Sequence, residues 1–436
     1  MAENKAAPLE CFKKGKELRE QLFHEVVTAR EDGKLVISGS VGMPISLVAG
    51  FGDFAFIGGD TYASNVSSNP EMAIKAAEAV ERMGYARDMC GYFRADMGSV
   101  LLNFYLFGGE YPRPDFCFSS HDCESRSRWT QAVAEHFDAP LFVLDVPMTP
   151  LGERKEDRLR YMTSQLYDII AQIEKVTGRE FNDEKFIQAL HNEYETKKLW
   201  AEIFTLNAAI PAPLNLRAQI SFMALVWMRP DDKRVIDFLK ILKDEVKYRI
   251  DKGIGIIPGE KGRLMLDGSP PYYGFDVFKY IEEAYRVVWV GSYFYAWAIG
   301  LYGTDKDGGL IPGKTLKERG TPLANRDDAI RALLEISETD DGICIGGVNN
   351  SWETIGDTLL KFVKLWKVDG FVFEFNRSCP GAMMGTRETQ LILQEAGVPV
   401  TSFEASNTDP REFDSKDIMH SLDRFMEILG FKKEKS

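Results

Sequence analysis

Short apolar runs alternate with longer helical patterns in the first 150 residues of the chain. Apolar residues at helical spacing predict helices over residues 8–31 and 69–82, because this spacing gives each helix one apolar face. The intervening apolar runs are too short for helices and predict strands: LVISGS (35–40), FAFIGG (54–59), FCFSS (116–120) and APLFVLDVP (139–147). Strands that alternate with helices predict βαβ units and a parallel sheet.

The pattern changes between about residues 151 and 260, where long amphipathic stretches dominate and strand-like runs are scarce. Alternation then resumes, with strand-like runs at RLMLDGS (263–269), VVWVGS (287–292), GICIGG (342–347), VDGFVFEF (368–375) and VPVTSFE (398–404). We therefore expect an α/β protein with two Rossmann-like parallel-sheet domains, residues 1–150 and 261–436. A mainly helical segment, residues 151–260, lies between them.

One stretch of the C-terminal part, residues 303–320, has the Gly, Asp and Pro content of a long loop. Long loops in compact domains are either functional or solvated surface segments. The stretch is therefore interpreted as a loop that either covers a cleft or lies in solvent.

Composition and charge narrow the class of protein. The chain has 436 residues, with 53 Lys and Arg against 66 Asp and Glu, so its formal net charge is −13. Nucleic-acid binding needs a concentrated basic face, so we expect no nucleic-acid partner. No apolar run approaches the roughly 18 residues of a membrane-spanning helix, and the N-terminus lacks an apolar signal core. We expect a cytoplasmic protein without a membrane partner.

Two segments, FCFSSHDCESRSRWTQAVAEHFDAPLFVLD and FVFEFNRSCPGAMMGTRETQLILQEAGVPVTSFE, share one layout. Each has an aromatic strand, a few polar residues, a Cys, a helix and a second strand. The two Cys, Cys123 and Cys379, should lie at the carboxyl ends of parallel strands, where ligands gather. Each precedes a helix, whose N-terminal N–H groups favour a thiolate.

A third Cys, Cys90, lies in a loop between helices that could reach the same cleft. Three Cys from distant positions predict a metal or cluster site, or else three separate buried thiols that act as small apolar groups. No CxxC spacing decides between these interpretations. Of the other cysteines, Cys11 falls in the first helix, Cys117 inside a strand, and Cys344 is a rival ligand at a Gly-rich strand end.

Several segments together resemble the benzoyl-CoA reductase / 2-hydroxyacyl-CoA dehydratase family: RDMCGYFRADMGS, SSHDCESRSRW, RLMLDGSPPYYGFDVF, VVWVGSY, VDGFVFEFNRSCPGAMM, TQLILQEAGVPVTSFEAS and TDPREF. The resemblance covers about residues 30–430. It implies a [4Fe–4S] cluster held at the interdomain cleft by Cys90, Cys123 and Cys379, with one iron open to the acyl-CoA substrate. It also implies a related second cluster-bearing subunit and a separate ATP-dependent iron–sulfur activator. This chain has no GxxxxGK[ST] motif for ATP.

The resemblance implies an oxygen-sensitive, anaerobic enzyme, and the Cys90 stretch with the long form of the chain is more similar to the larger core subunit of the reductase branch. The expected activity is the reduction of an aromatic acyl-CoA such as benzoyl-CoA with low-potential electrons. One alternative is a 2-hydroxyacyl-CoA dehydratase subunit that acts through a ketyl radical. Another alternative, of a different class, is an electron-transfer or scaffold subunit that does not contact substrate.

Four further residues are candidates for the site. His121, beside Cys123, is a candidate proton donor, although its position also suits an ordinary turn at a helix start. Glu404 ends the strand after the Cys379 helix and is a candidate for the cleft mouth. Arg87 and Arg94 flank Cys90 and could bind CoA phosphate or offset the charge of a reduced cluster, although such arginines often form surface ion pairs.

Overall fold

The computed structural model describes residues 6–147, 154–297, 299–335 and 352–434. Two four-stranded parallel sheets organise these residues. The first sheet has the strand order β2-β1-β3-β4 and consists of β1 (Leu35–Gly39), β2 (Phe54–Gly58), β3 (Phe116–His121) and β4 (Leu141–Asp145). Every residue of β1 and β2 is buried, as expected for parallel strands that helices cover on both faces.

The second sheet has the order β10-β9-β5-β6 and is also entirely parallel. It consists of β5 (Gly262–Asp267), β6 (Val287–Ser292), β9 (Gly370–Asn376) and β10 (Val400–Ala405). The prediction of an α/β protein with two parallel sheets is confirmed. The predicted GICIGG strand and its Cys344 lie outside the described residues.

Residues 303–320 differ from the predicted loop. They include most of an antiparallel hairpin of β7 (Tyr302–Thr304) and β8 (Leu310–Pro312), followed by a short helix. The hairpin turn is closed by Asp305, whose carboxylate accepts N–H bonds from Asp307 and Gly309. Strands of three residues are too short to produce a detectable apolar alternation, which is why the sequence pattern missed them.

Helices surround both sheets. In chain order they are α1 (Phe12–Thr28), α2 (Ile45–Val48), α3 (Gly59–Ser67), α4 (Pro70–Arg82), α5 (Gly91–Leu101), α6 (Glu124–Phe137), α7 (Lys155–Thr177), α8 (Asp183–Leu206), α9 (Leu216–Met228), α10 (Lys233–Lys252), α11 (Phe275–Tyr285), α12 (Tyr293–Trp297), α13 (Leu316–Arg319), α14 (Arg326–Glu335), α15 (Trp352–Trp366), α16 (Pro380–Met383), α17 (Thr386–Glu395) and α18 (Ser415–Ile428). None of them, in the part of the chain that is described, has the length and hydropathy to cross a bilayer.

The long helices α7–α10 follow the first sheet along the chain and precede the second. Helix α8 packs against α2 on the side of the first sheet and against α12 on the side of the second. The indole N–H of Trp200 in α8 donates to the carbonyl of Tyr295 in α12, at 3.0 Å. The helical segment therefore ties the two sheets together.

The internal likeness of the two Cys segments is confirmed in three dimensions. In the first sheet, β3 leads through α6 to its parallel neighbour β4, and in the second, β9 leads through α16 and α17 to its parallel neighbour β10. Cys123 and Cys379 both follow the carboxyl end of the first strand of their unit. The repeat thus places two thiols at equivalent positions in the two sheets.

Candidate active site

A cavity of about 340 Å³ is lined by residues that follow strands of both sheets. Its wall is formed by residues from the units of the first sheet, from α9 and from the loops after β5, β6 and β9. Cys90, Cys123 and Cys379 all belong to that wall. The three cysteines that the sequence analysis named as candidate ligands therefore line one cavity. This cavity lies at the carboxyl ends of the strands, where parallel α/β sheets bind ligands.

Each of the three cysteines immediately precedes a helix. Cys90 is the N-cap of α5, Cys123 of α6 and Cys379 of α16. Burial raises the pKa of the Cys90 thiol to about 12, and the charge of Cys379 adds to that shift. Burial also raises the pKa of Cys379, with a contribution from Cys123. The three sulfur atoms are thus close enough to interact electrostatically.

Cys90 reaches the cavity because α5 docks on the second sheet. The N–H of Gly91 donates to the carbonyl of Ser378, the residue before Cys379, at 3.2 Å. A Cβ on Gly91 would lie 2.1 Å from Oγ1 of Thr408, so only glycine allows this approach. One turn further, the Arg94 guanidinium pairs with Asp409 at 2.8 Å.

The guanidinium of Arg126 is the cationic group of the cavity wall. It hydrogen-bonds Asp122 and lies 3.9 Å from Asp60. Burial lowers its pKa, but the two carboxylates outweigh burial and hold the pKa above its usual range, and the charges of Cys123 and Cys379 act in the same direction. Arg126 thus faces the thiols and offsets negative charge there.

Asp60 follows β2 and is also part of the wall. It is buried, and its Oδ2 accepts the N–H of Val41 at 2.8 Å. Burial raises the pKa of this carboxyl, whereas Arg126 opposes the shift. A carboxyl in this environment can hold or accept a proton next to the cavity.

Six aromatic side chains belong to the wall, together with aliphatic, Met and small residues: Tyr92, Trp129, Trp227, Tyr293, Phe294 and Trp352. The indole N–H of Trp129 donates to Asp96 at 2.8 Å, which fixes that ring. The rings of Trp227 and Phe294 pack edge to face, with their centroids 5.6 Å apart. Apolar walls with few polar groups are typical of sites for small organic ligands, and aromatic walls suit an apolar or aromatic group.

His121 lies outside this wall, although it is only two residues from Cys123. Its Nδ1 is 2.8 Å from Asp145, and its Nε2 is 3.2 Å from Glu124. The hydrogen bond with Asp145 raises the pKa of the imidazole. The imidazole is partly exposed and lies between the carboxylates of Asp145 and Glu124. The role of His121 as a proton donor stays a prediction.

Arg87, Arg94 and Glu404 also lie away from the cavity wall. The buried guanidinium of Arg94 pairs with Asp409, and the half-exposed Arg87 lies 3.2 Å from Glu412. Glu404 is exposed and pairs with Arg377 at 2.6 Å. Their predicted roles in binding CoA, in offsetting cluster charge or at the cleft mouth stay predictions.

The residue types on the cavity wall fit the ligand set of an iron–sulfur cluster. Within the described ranges, no group of three His, Cys, Asp or Glu side chains is close enough to hold one metal ion. A cubane cluster spreads its ligands, because each thiolate binds a different iron. Three thiols on one cavity wall, with Arg126 beside two of them, match such a ligand set in type and number.

The sequence profile of the family described as 2-hydroxyglutaryl-CoA dehydratase, D-component, matches residues 41–429. The chain belongs to this family. Among relatives of the family, it is similar to the (R)-2-hydroxyisocaproyl-CoA dehydratase alpha subunit of Clostridioides difficile, with 24% identity over 425 residues, which is 96% of each chain. It is 24% identical to the (R)-2-hydroxyglutaryl-CoA dehydratase alpha subunit of Acidaminococcus fermentans, over 74% of this chain and 62% of that one.

The family also includes a reductase relative. The chain is 22% identical to a benzoyl-CoA reductase subunit of Thauera aromatica over 374 residues, which is 81% of this chain and 79% of that one. The expected family is confirmed, and so is an enzyme subunit as the class of protein. Identities of 22–24% to both kinds of relative do not separate the two activities.

Two residues of the wall were missed by the sequence reasoning. Arg126 lies one helical turn after Cys123, and that spacing puts both at the start of α6. Asp60 follows the Gly pair at the end of β2, where a strand-end carboxylate is a recognisable signal. Neither forms a motif on its own, so each acquires meaning only from its position on the cavity.

Proposed function

We propose that this chain is a subunit of an iron–sulfur enzyme that reduces an aromatic acyl-CoA such as benzoyl-CoA. The observation that carries the proposal is the convergence of Cys90, Cys123 and Cys379 on one cavity whose mainly apolar wall includes six aromatic side chains. Thiols supply cluster ligands, and an aromatic wall suits an aromatic acyl group. Membership of the family supports an acyl-CoA enzyme subunit, and one of the relatives described above is a benzoyl-CoA reductase subunit.

Cys90, Cys123 and Cys379 would hold a [4Fe–4S] cluster, which would supply low-potential electrons at the acyl thioester. The chain's own groups prepare the cavity for that chemistry. Arg126 and the N-termini of the two longer helices, α5 and α6, offset negative charge beside the thiols. The aromatic rings exclude water from the acyl group and hold it in place.

The proposed enzyme needs partners. The relatives named above are all subunits, which supports a second, related polypeptide in the complex with this chain. The chain has no P-loop motif, so the ATP hydrolysis that drives electrons to low potential would take place in a separate iron–sulfur activator. The proposed complex works in an anaerobic cytoplasm.

A 2-hydroxyacyl-CoA dehydratase is the second candidate, because two of the relatives described above carry that activity in their names. The carboxyl of Asp60 on the cavity wall could accept the proton that a dehydration must remove. Both candidates use the same cavity and differ in whether the acyl group undergoes net reduction.

Iron and acid-labile sulfide analysis of anaerobically purified protein tests the cluster. We expect near-stoichiometric iron in the native chain and a loss of most of it in Cys90→Ala, Cys123→Ala and Cys379→Ala. Cys117→Ala is the matched control, because Cys117 is fully buried inside β3 and should leave the iron content unchanged. Equal iron content in all four variants would refute the ligand assignment.

Substrate tests on the activated complex separate the candidate functions. We expect net reduction of benzoyl-CoA, whereas loss of water from a 2-hydroxyacyl-CoA without net reduction would establish the dehydratase instead. An iron spectrum that no acyl-CoA alters would favour an electron-transfer or scaffold subunit and refute both. The measurements are product analysis by mass and electron paramagnetic resonance with and without acyl-CoA.

A further inference from the structure

We propose that Glu374 holds a proton at neutral pH and passes it to the cavity through a ring of four hydroxyl groups. The ring consists of Tyr92, Ser269, Tyr295 and Tyr272. The inference deepens the proposed function, on which it rests for the identity of the proton acceptor, an acyl thioester. It adds a proton source inside the fold, away from His121.

Glu374 is an unusual residue for its position. It lies in the middle of β9, is 1% exposed, and neither of its carboxyl oxygens has a hydrogen-bond partner among the described residues. No ion pair with a Lys or Arg of those residues compensates it. Burying an unpaired carboxylate is very costly, so the neutral acid is the stable form.

The charged groups around Glu374 act in the same direction. Burial raises the pKa of Glu374 well above its usual range, and the charge of Asp267, at the end of β5, raises it further. The remaining titratable neighbours are the phenols of Tyr272, Tyr273 and Tyr295, which all respond to the charge of Glu374. None of these groups is a cation that would favour the carboxylate.

A glycine separates Glu374 from the cavity. Gly268 belongs to the cavity wall and has φ +104°, and a Cβ on it would lie 3.4 Å from Oε2 of Glu374 and 3.2 Å from its Cβ. The Glu374 carboxyl therefore lies directly behind Gly268, a residue of the wall. Ser269, the next residue, is itself part of the wall.

The hydroxyl ring extends from the neighbourhood of the Glu374 carboxyl to the cavity wall. Around the ring, the contacts are Tyr92 to Ser269 at 2.7 Å, Ser269 to Tyr295 at 2.9 Å, Tyr295 to Tyr272 at 2.6 Å, and Tyr272 to Tyr92 at 2.7 Å. A fifth contact crosses the ring from Ser269 to Tyr272 at 3.1 Å. Each hydroxyl can donate one hydrogen bond and accept another, so the ring closes in either direction. Reversing the direction moves one proton per hydroxyl and leaves no group ionised.

Tyr92 and Ser269 face the cavity, and Ser269 directly follows Gly268, against which the Glu374 carboxyl lies. Tyr272 and Tyr295 bond to Ser269 or to each other, and burial and the charge of Glu374 raise the pKa of both. In the proposed step, the Glu374 side chain rotates and its O–H bond breaks toward Tyr272 or Tyr295. Ser269, which bonds both of these tyrosines and lines the cavity, then releases its hydroxyl proton to the acyl group. That group has already gained an electron from the iron–sulfur reductant of the proposed function. Glu374 is left as a carboxylate and takes its next proton from solvent.

Infrared difference spectroscopy tests the proton without any turnover. We expect the carbonyl stretch of a protonated carboxylic acid at pH 7, shifted in D₂O and absent in Glu374→Gln. The matched control is Glu282→Gln. Glu282 is another buried carboxyl with a raised pKa, about 7, but Asn215 hydrogen-bonds it and it is not part of the cavity wall. If Glu374→Gln leaves the acid bands of the native protein unchanged, Glu374 is ionised and the proposal is wrong.

Kinetics on the activated complex test the path. Because general-acid groups contribute about 10²-fold or more, we expect Glu374→Gln to lower kcat by about that factor with KM nearly unchanged. Tyr272→Phe should also lower kcat, Glu374→Asp should restore part of it, and Glu282→Gln should keep the native rate. A native kcat and an unchanged solvent isotope effect in Glu374→Gln would overturn the relay.

The two proposals fail in different ways. If the native complex converts neither benzoyl-CoA nor a 2-hydroxyacyl-CoA, the proposed function fails, and the infrared band still decides whether Glu374 carries the proton. If the native complex is active and Glu374→Gln is equally active, the function stands and the relay fails.

Discussion

The docking of α5 on the second sheet gives a quantitative prediction, because it depends on a glycine with no room for a side chain. In Gly91→Ala, the new Cβ would lie 2.1 Å from Oγ1 of Thr408, 2.7 Å from Oδ1 of Asn407 and 2.9 Å from Oγ of Ser378. These three side chains are buried and short, and Ser378 Oγ contacts Asn376, Ser406 and Asn407. Ser378 and Asn407 cannot move away without breaking those contacts, and Thr408 would have to rotate within a buried site.

The size of the effect follows from three contributions. Overpacking a filled site costs about 1–3 kcal/mol. Loss of the hydrogen bond from the Gly91 N–H to Ser378 costs about 0.5–1.5 kcal/mol. Alanine at the first position of a helix offsets this by up to about 1 kcal/mol. We therefore expect Gly91→Ala to lower the free energy of unfolding by roughly 2 kcal/mol, the opposite sign to an ordinary Gly to Ala change in a helix.

Urea denaturation followed by circular dichroism measures this change, and the iron content reports the position of Cys90. We expect both a lower denaturation midpoint and a partial loss of iron in Gly91→Ala. Gly303→Ala is the control, because its Cβ would meet only Cα of Gly313 at 3.9 Å. A Gly91→Ala midpoint and iron content equal to those of the control would refute the docking argument.

Two further predictions concern buried charge. Arg126→Gln leaves Asp60 and Asp122 without their cation and should destabilise the protein by about 3 kcal/mol or more at pH 8. The loss should be smaller at pH 5, because burial raises the pKa of both carboxyls and so favours their neutral forms as the pH falls. Urea denaturation midpoints at the two pH values measure this destabilisation, with Arg126→Lys as the control. An equal loss of stability at pH 8 and pH 5 would contradict the prediction. Burial raises the pKa of Asp96 to about 7, so the native state holds a proton that the unfolded state releases above its ordinary pKa of 3.8. The free energy of unfolding should therefore fall as pH rises toward 7, by at most about 1.4 kcal/mol per pH unit. Asp96→Asn should remove this contribution to the pH dependence. If the slope of the unfolding free energy against pH is the same in Asp96→Asn as in the native protein, the prediction is wrong.

Much of the fold could be predicted, because most strands of the two parallel sheets are buried on both faces and produce continuous apolar runs such as FAFIGG and VVWVGS. The positions of Cys123 and Cys379 followed from the same reasoning, since each comes directly after a recognisable strand. The hairpin of β7 and β8 was not predicted, because strands of three residues are too short to show a hydrophobic periodicity.

The rest of the site depends on contacts between residues far apart in the chain. Nothing near Cys90 in the sequence shows that Gly91 will meet Ser378 and Thr408, more than 280 residues later. Glu374 did carry a signal, because a lone acidic residue in the apolar run FVFEF cannot face water if the strand is buried. Local pattern thus locates strand ends, whereas the partners of each side chain come from tertiary packing.

The origin of the three thiols has a consequence for how the site matures. The repeated strand–helix–strand unit supplies one thiol to each half of the molecule, and the third arrives only when α5 has docked across the gap between the halves. A chain in which one half is still unfolded offers an incomplete set of donors. If the chain holds the cluster of the proposed function, completion of the whole tertiary structure would therefore be a checkpoint that precedes loading of the cluster.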